Sequence, residues 1–407
     1  MAAGFTLLLA WRATVLANAG PLLPASMPAA RPGVAEAIGV LHVHTLRSHD
    51  GRADVDEIVA DARPAGLDFV LLVEHDNFGV AAEGKEGWRD GVLIVGGEEA
   101  GTCDRYDEAR KRWLGGHLLV LGPTALEGKR ERMTGEELAA LAVARGGAAF
   151  AAHPTNRRVP WRASDRGLAG LEFLNVFSAA LDQRWWTLAQ ALLCYPLNAA
   201  AAMTMVMGEP RPQLAYFDAL AARRRVAALG GADAHSCVRV GKRWRLPLPA
   251  MSSFFGFMRT HVQLPGPFRR QLEPDRRALF EALASGRSFV GLDWLAPSNG
   301  FDFVADAGQG VQPMGAAVSG PRARLRATAP DVPGLTLELY RDGEKVASSS
   351  GPSLEFEAIG DGAYRCEAWL EGRSPFLSMP VRRPWIFSNP IFVGSRYAPT
   401  KGASGAP

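Results

Sequence analysis

Between about residues 38 and 295 the chain alternates short apolar runs of β character with helical segments, and strand after strand closes on a histidine or a carboxylate. Strands are expected at 39–43, 69–73, 92–95, 117–121, 148–152, 171–176, 226–229 and 288–292. Helices are expected at 55–62, ended by Pro64 and Gly66, at 138–145, and at 275–284. Thr134 and Glu137 form a capping box before the second of these helices. Such alternation argues for a parallel sheet, and over this length for a barrel.

The texture changes after about Asn299. Helical periodicity disappears, and alternating segments follow at 323–327, 335–340, 354–358 and 364–369, with Arg341-Asp342-Gly343 as a hairpin turn. This pattern predicts a small all-β sandwich. The expected organisation is an N-terminal extension over 1–37, a barrel over 38–298 with a helical insertion at about 179–222, a sandwich over 299–396 and a loose tail over 397–407.

Composition removes several classes. Of the 407 residues, 47% are hydrophobic and 21% charged, enough apolar side chain to bury a sizeable core. A formal net charge of +3 without a basic stripe argues against a nucleic-acid partner. Arg223, Arg224 and Arg225 read as the solvated end of a helix. Cys103, Cys194, Cys237 and Cys366 stand far apart, with no CxxC pair, so neither a disulfide framework nor a thiolate zinc site is expected; Cys237 alone follows a candidate ligand closely. Residues 2–11 are apolar and Ala17-Asn18-Ala19 resembles a cleavage site, but a positive n-region is missing. A cytoplasmic location is the default expectation, with export through this signal-like segment as the alternative. The uncharged stretch 185–208 raises the transmembrane question. Pro196 and Asn198 interrupt it, and candidate ligands lie on both sides, so a buried or cleft-covering helical pair is expected instead.

The histidines carry the chemistry. Five of the eight sit at or just past the C-terminal end of an expected strand, the end at which a β/α barrel builds its active site. His42 and His44 are two apart, so a regular strand sends both to one side. Asp50 follows in a turn, His75 in Glu74-His75-Asp76, Glu99 in Gly97-Glu98-Glu99, His153 before Pro154, and Asp233 with His235 in Asp233-Ala234-His235. His117 is the exception, because it opens its strand. A lone strand histidine is usually structural, and a carboxylate after a strand is more often a helix cap. Only the recurrence points to metal.

These motifs, in this order, resemble the PHP (polymerase and histidinol phosphatase) superfamily of metallohydrolases over roughly residues 39–295. The resemblance implies a distorted (β/α)7 barrel in an α/β fold, and a ligand set of His42, His44, Asp50, His75, Glu99, His117, His153, Asp233 and His235. It also implies two or three divalent ions of zinc, manganese or iron. The chain departs from the family in its second motif, where Glu74 stands in place of the usual aspartate; that acid is expected behind the ligands rather than among them. Of the adjacent Glu98 and Glu99, strand alternation allows one inward, and the Gly-x-Glu pattern favours Glu99. Glu172-Phe173-Leu174-Asn175, the insertion after it, Phe257 to His261, Gly286 to Phe289 and Trp385 to Pro390 look like the carbaryl-hydrolase-like branch. His261 belongs to no ligand motif and is assigned to structure.

Imidazole-rich sites with a few carboxylates suit zinc, manganese or iron and suit calcium poorly. The expected reaction is hydrolysis of a small-molecule ester by a metal-activated water. Glu99 is the expected bridge, and Asp233 or His235 the proton carrier to the leaving group. Arg47 and Arg157 flank ligands and are candidates to grip an anionic substrate. A phosphoester is the first expectation, a carboxylic ester or carbamate the second, and a non-catalytic metal-binding module the third. Substrate identity and oligomeric state are not legible from the sequence.

Overall fold

The computed structural model describes residues 23, 25–108, 112–126, 132–235, 238–240, 244–246, 249–308, 310–373 and 380–397. Most of the N-terminal extension, Cys237 and the end of the tail fall outside these residues. Seven strands close into a barrel: β1 (Ala35–Val43), β2 (Phe69–His75), β3 (Val92–Gly101), β4 (His117–Leu121), β5 (Ala148–Ala152), β6 (Gly170–Asn175) and β7 (Ala227–Ala234). They pair in chain order, and β7 returns to β1. All pairings are parallel except those of β4, which is antiparallel to both β3 and β5.

The strands alternate in what they face. Leu71 and Val73 of β2, Leu93 and Val95 of β3, Leu119 and Leu121 of β4 and Leu229 of β7 share one buried cluster, which fills the barrel. A helix at Leu272–Ala284 closes its base with Leu279, Phe280 and Leu283. The opposite parity, including Val70, Leu72, Ile94 and Val120, packs outward against α1 (Val55–Ala62) and α2 (Gly135–Ala144). Both helices begin with a complete capping box, Asp54 with Glu57 and Thr134 with Glu137.

Three sequence expectations need correction. The strands β2, β3 and β7 run on to His75, Gly101 and Ala234. Polar donors that read as turns are in fact held by the ladder. The helix alternation is also incomplete. A small hairpin, Arg105–Asp107 with Arg112–Leu114, connects β3 to β4, and no helix lies between β5 and β6. An antiparallel neighbour needs no helical crossover, which is why a hairpin suffices between β3 and β4. Finally, residue 298 marks no break in the sheet. Beyond β1 the same sheet continues through β8 (Arg259–Leu264) and β9 (Ser288–Gly291) into β10 (Pro380–Ser388), and from there through Gly362–Arg373, Leu335–Arg341 and Glu344–Ser350. A second, four-stranded sheet contains Asp302–Asp306, Arg322–Thr328 and Ser353–Ile359.

The crossover from β6 to β7 is the helical insertion, with α3 (Val176–Leu181), α4 (Trp185–Cys194), α5 (Ala199–Met207) and α6 (Arg211–Ala221). Asn175 and Asn198 cap α3 and α5 through their side-chain oxygens. Among the described residues no helix is long and apolar enough to cross a membrane. The pair α4–α5 buries Ala191, Cys194 and Val206 between its members, while Trp185 and Leu193 stand 75% and 67% exposed. Asp218 of α6 takes both ends of the buried Arg365 guanidinium, at 2.6 and 2.7 Å, and so fastens the insertion to the C-terminal strands.

His261 of β8 is structural. Its ring is fully buried, stacks on Phe289 at 4.5 Å, and lies between Glu36 at 2.5 Å and Asp293 at 3.1 Å, with the Ser298 hydroxyl at 3.0 Å. Burial works against its charged form, but Asp293 and Glu36 outweigh it and raise its pKa from 6.5 to about 9. A raised histidine pKa contributes stability that is complete below the unfolded value and is lost as pH rises through the folded one. The thermal midpoint is therefore expected to fall as pH passes through about 9. Melting curves of His261→Gln should lack that step; a step of equal size in the variant refutes the assignment.

Candidate metal centre

The inward parity that carries Leu71 and Val73 up β2 ends in His75, and the parity of Leu93 and Val95 ends in Glu99. On β4 the order is reversed. His117, aligned with Gly101 of β3 and Ala152 of β5, starts the strand at the rim where its neighbours finish. The apparent exception in the sequence is a consequence of strand direction.

Two other positions need a broken ladder. Between Val40 and Val43, β1 carries one residue more than β2, and between Gly231 and Ala234, β7 carries one more than β1. His42 at φ 62° and Asp233 at φ 51° occupy the left-handed region at these bulges, and His153 sits at φ 28°. Left-handed backbone in a residue other than glycine costs about 1–3 kcal/mol and gathers at functional sites. His42 and His44 do face one centre, as their spacing suggests, but a bulge rather than plain alternation turns them there.

The structure brings all nine expected ligands together. They form four overlapping groups, His44–Asp50–His75–His235, His42–Glu99–His153, His42–His44–Asp233 and His75–Glu99–His117, and within each the donor atoms lie within 4.8 Å of one another. Glu99, 1% exposed, is the hub. Its carboxylate oxygens stand 2.6 Å from His117 Nδ1, 2.9 Å from His153 Nε2, 3.1 Å from His42 Nε2, 3.2 Å from His44 Nε2 and 3.3 Å from His75 Nδ1. Asp50 Oδ2 lies 3.4 Å from both His75 Nε2 and His235 Nε2. Asp233 Oδ1 lies 3.5 Å from His42 Nε2 and 3.6 Å from His44 Nε2. Two ligands about 2.1 Å from one ion stand about 3.4 Å apart in tetrahedral geometry, so these separations fit shared ions. The buried Nε2 of His44 has no hydrogen-bond partner. The donor set thus fits divalent metal.

Groups behind the ligands fix their tautomers. The Ser48 hydroxyl donates to Glu74 at 2.6 Å and lies 3.0 Å from His44 Nδ1, so that nitrogen carries the proton and Nε2 keeps its lone pair for the centre. Glu74 also accepts from the Thr45 hydroxyl at 2.6 Å, which places this unusual acid where the sequence expectation put it, behind the ligands. Glu172, whose part was not legible in the sequence, lies 2.8 Å from His42 Nδ1 and accepts from the His153 backbone N–H at 2.9 Å and from Asn175 at 2.8 Å. Gly231 makes room for it: a Cβ there would fall 1.4 Å from Glu172 Oε1 and 3.0 Å from the His42 Cβ.

The charges are strongly coupled. Burial opposes ionisation throughout, yet Glu172, Asp233 and Glu99 hold His42 well above its ordinary pKa, and the nearby carboxylates of Asp233 and Glu99 raise His44 to about 9. His153 is raised by Glu99, against its burial. Glu99, Asp50 and Asp233 are all held below the usual carboxylate range by the surrounding imidazoles, although burial pushes the other way. His235 differs. Burial dominates and lowers it to about 4, so it is neutral at pH 7.

The two arginines separate. Arg47 is tied to Asp54 at 3.0 Å and to Glu83, which leaves its charge satisfied away from substrate. Arg157, with an exposed side chain, pairs with Asp182 at 2.9 Å on the edge of a cavity of about 260 Å³ that also meets His153, Glu172 and Ser178. Arg157 thus lines this cavity while paired with Asp182.

No protein-family model matches the sequence, and no curated protein does. Among solved structures the chain is similar to a two-domain protein of Bacteroides vulgatus containing a predicted PHP-like metal-dependent phosphoesterase. Identity is 15%, coverage 89% of this chain and 98% of that one, and the TM-score 0.36. It is also similar to a protein of Bifidobacterium adolescentis with the provisional name of metal-dependent phosphoesterase, at 14% identity, coverage of 48% and 87%, and a TM-score of 0.26. With scores this low, neither likeness decides the chemistry of this chain.

The geometry itself is testable by binding. Below about pH 9 an incoming ion must displace a proton from His44, so apparent metal affinity should weaken as pH falls, by about tenfold per unit for each proton displaced. Titration of metal-free protein with zinc across this range measures it, and a pH-independent affinity contradicts the charge assignment. Gly231→Ala should lower metal affinity by about 10–100-fold through Glu172 and His42, with the circular dichroism spectrum unchanged.

Proposed function

We propose that this chain is a metal-dependent hydrolase of the PHP superfamily that cleaves a small-molecule phosphoester, with two or three zinc, manganese or iron ions at the mouth of its barrel. The observation that carries this reading is the meeting of nine imidazole and carboxylate ligands in four groups around Glu99. The four sequence motifs that resemble the superfamily support it.

When bound, such ions acidify a water toward neutral pKa and polarise the scissile P=O or C=O. The chain's own residues do the rest. Glu99 belongs to two of the four groups, with His42 and His153 and with His75 and His117, and would be the carboxylate to bridge ions held there. Ser48 and Glu172 hold His44 and His42 with the correct nitrogen toward the centre. Asp233 or His235, both within the donor groups, is the proposed carrier of a proton from the attacking water to the leaving group. Arg157, which lines the cavity beside His153 and pairs with Asp182, is the candidate to meet an anionic substrate group.

A second reading, cleavage of a carboxylic ester or carbamate as in the carbaryl-hydrolase-like branch, is favoured by one observation. Phe177, on the wall of an apolar pocket, stands 5.3 Å from the His235 ring.

The test is reconstitution. Protein stripped by chelation and reloaded with zinc, manganese or iron is assayed on 4-nitrophenyl phosphate, its phosphodiesters, and 4-nitrophenyl acyl esters and carbamates. Metal-dependent turnover of the phosphoesters is expected, lowered more than about 100-fold in His42→Ala/His44→Ala. Turnover confined to the acyl esters moves the assignment to the second reading. Full metal loading with no turnover of any ester overturns both and leaves a metal-binding module.

A further inference from the structure

The helical insertion builds a second pocket that the metal chemistry does not use. It has a volume of about 280 Å³ and lies among α3, α4, α5 and a short helix at Met251–Phe257. Its walls include Phe177, Leu188, Leu192, Met203, Val206 and Phe254. Among the described residues Tyr195 supplies the single polar side chain on the wall, and its hydroxyl is already occupied, 2.9 Å from Ser253 Oγ and accepting from the Ala250 N–H at 2.8 Å. Among these residues no side chain is free to hydrogen-bond a ligand, so a polar group entering the pocket would lose its water without compensation.

The pocket has two ends. At the inner end the Phe177 ring contacts His235, a member of the metal group with Asp50, His75 and His44. At the outer end Leu188 and Leu192 are wall residues and yet are 38% and 52% exposed. Trp185, Trp186 and Leu193 on the same ten-residue helix extend this apolar rim, and no charged residue falls within α4 or α5. Apolar side chains left in water around a dry slot mark a place for a ligand.

We infer that this pocket binds the aliphatic chain of an amphiphilic ester whose polar ester group lies at the metal centre. The inference rests on the hydrolase reading. A chain, rather than a compact group, fits a slot that runs from a leucine-lined mouth to a phenylalanine beside the ligands. At roughly 30 Å³ for each small group, the volume accommodates a chain of about nine methylenes. Met203 and the leucines adapt to such a chain more readily than to a rigid ring.

The test uses two homologous series on the metal-loaded full-length protein, alkyl 4-nitrophenyl phosphodiesters and 4-nitrophenyl acyl esters, with chains from one to twelve carbons. All are assayed below the concentration at which they aggregate. Each added methylene should raise kcat/KM about threefold to fourfold until the pocket is full. Ala180→Trp, which fills the slot, and Leu188→Glu, at its exposed mouth, should keep turnover of the one-carbon substrates and flatten the dependence on length. Turnover independent of chain length, or a dependence that both variants preserve, overturns the inference while leaving the hydrolase reading intact. Stronger selection for naphthyl than for decyl esters replaces the chain with a ring. If no ester is turned over, calorimetry of metal-free protein with n-alkyl phosphates decides separately. Affinity rising by the same factor per methylene upholds the pocket, and absence of heat at every length refutes it.

Discussion

Side chains on a strand alternate, and a sheet closed on itself gives each strand one inward set. That constraint governs this protein. In the lower barrel the inward set is leucine, valine and phenylalanine, which exclude water; at the rim the same set becomes His75, Glu99 and His117. Donors rise from a packed floor and cannot retreat into it, because Leu71, Leu93 and Leu119 already fill the space beneath. Where the parity falls on the wrong side, as at His42 against the inward Ala37 and Leu41, the chain inserts a residue and accepts left-handed backbone.

The rim gathers charges that would repel or be neutralised elsewhere. Five imidazoles surround one buried carboxylate; His42, His117 and His153 pull Glu99 toward its ionised form against its burial, while the carboxylates pull His42 and His44 toward theirs. A pocket of this kind is satisfied either by protons or by cations, and proton occupancy and metal occupancy are competing states of the same atoms. The hydrogen bonds behind the ligands tilt the competition. Ser48 fixes the Nδ1 proton of His44, and Glu172 engages Nδ1 of His42 while also holding the backbone of His153. One buried acid thereby orients ligands from β1 and from the end of β5.

The C-terminal strands are joined to this centre by contacts, not merely by chain. β9 pairs with β10, Asn389 bonds the backbone of Ala228 in β7 in both directions, and Arg365 grips Asp218 of α6. His261, clasped by Glu36 and Asp293, ties the first barrel strand to the segment that leaves β9. Breaking such buried pairs exposes an uncompensated charge, which is why they act as fasteners even when forming them contributes little net stability.

Much of this was legible in the sequence, because periodicity and donor chemistry are local properties. The apolar runs at 69–73 and 117–121, the capping box at Thr134, and the recurrence of histidines and carboxylates at strand ends could be found from residue types and spacing, and the full set of nine candidate ligands followed from the resemblance to the PHP superfamily. The sequence by itself thus determined the strands, most of the helices that flank them, and the candidate donors. Tertiary structure alone decided that β4 runs backward, that a bulge re-aims His42, that Glu172 stands behind the candidate ligands with Gly231 leaving it room, and that Arg47 is engaged elsewhere. It also decided that the sheet runs unbroken past residue 298 and that an apolar slot opens beside His235. The physical reason is range. Alternation and capping depend on neighbours a few residues away, whereas strand direction, bulge position and the partner of a buried charge are set by groups tens to hundreds of residues distant, which become neighbours only when the barrel closes.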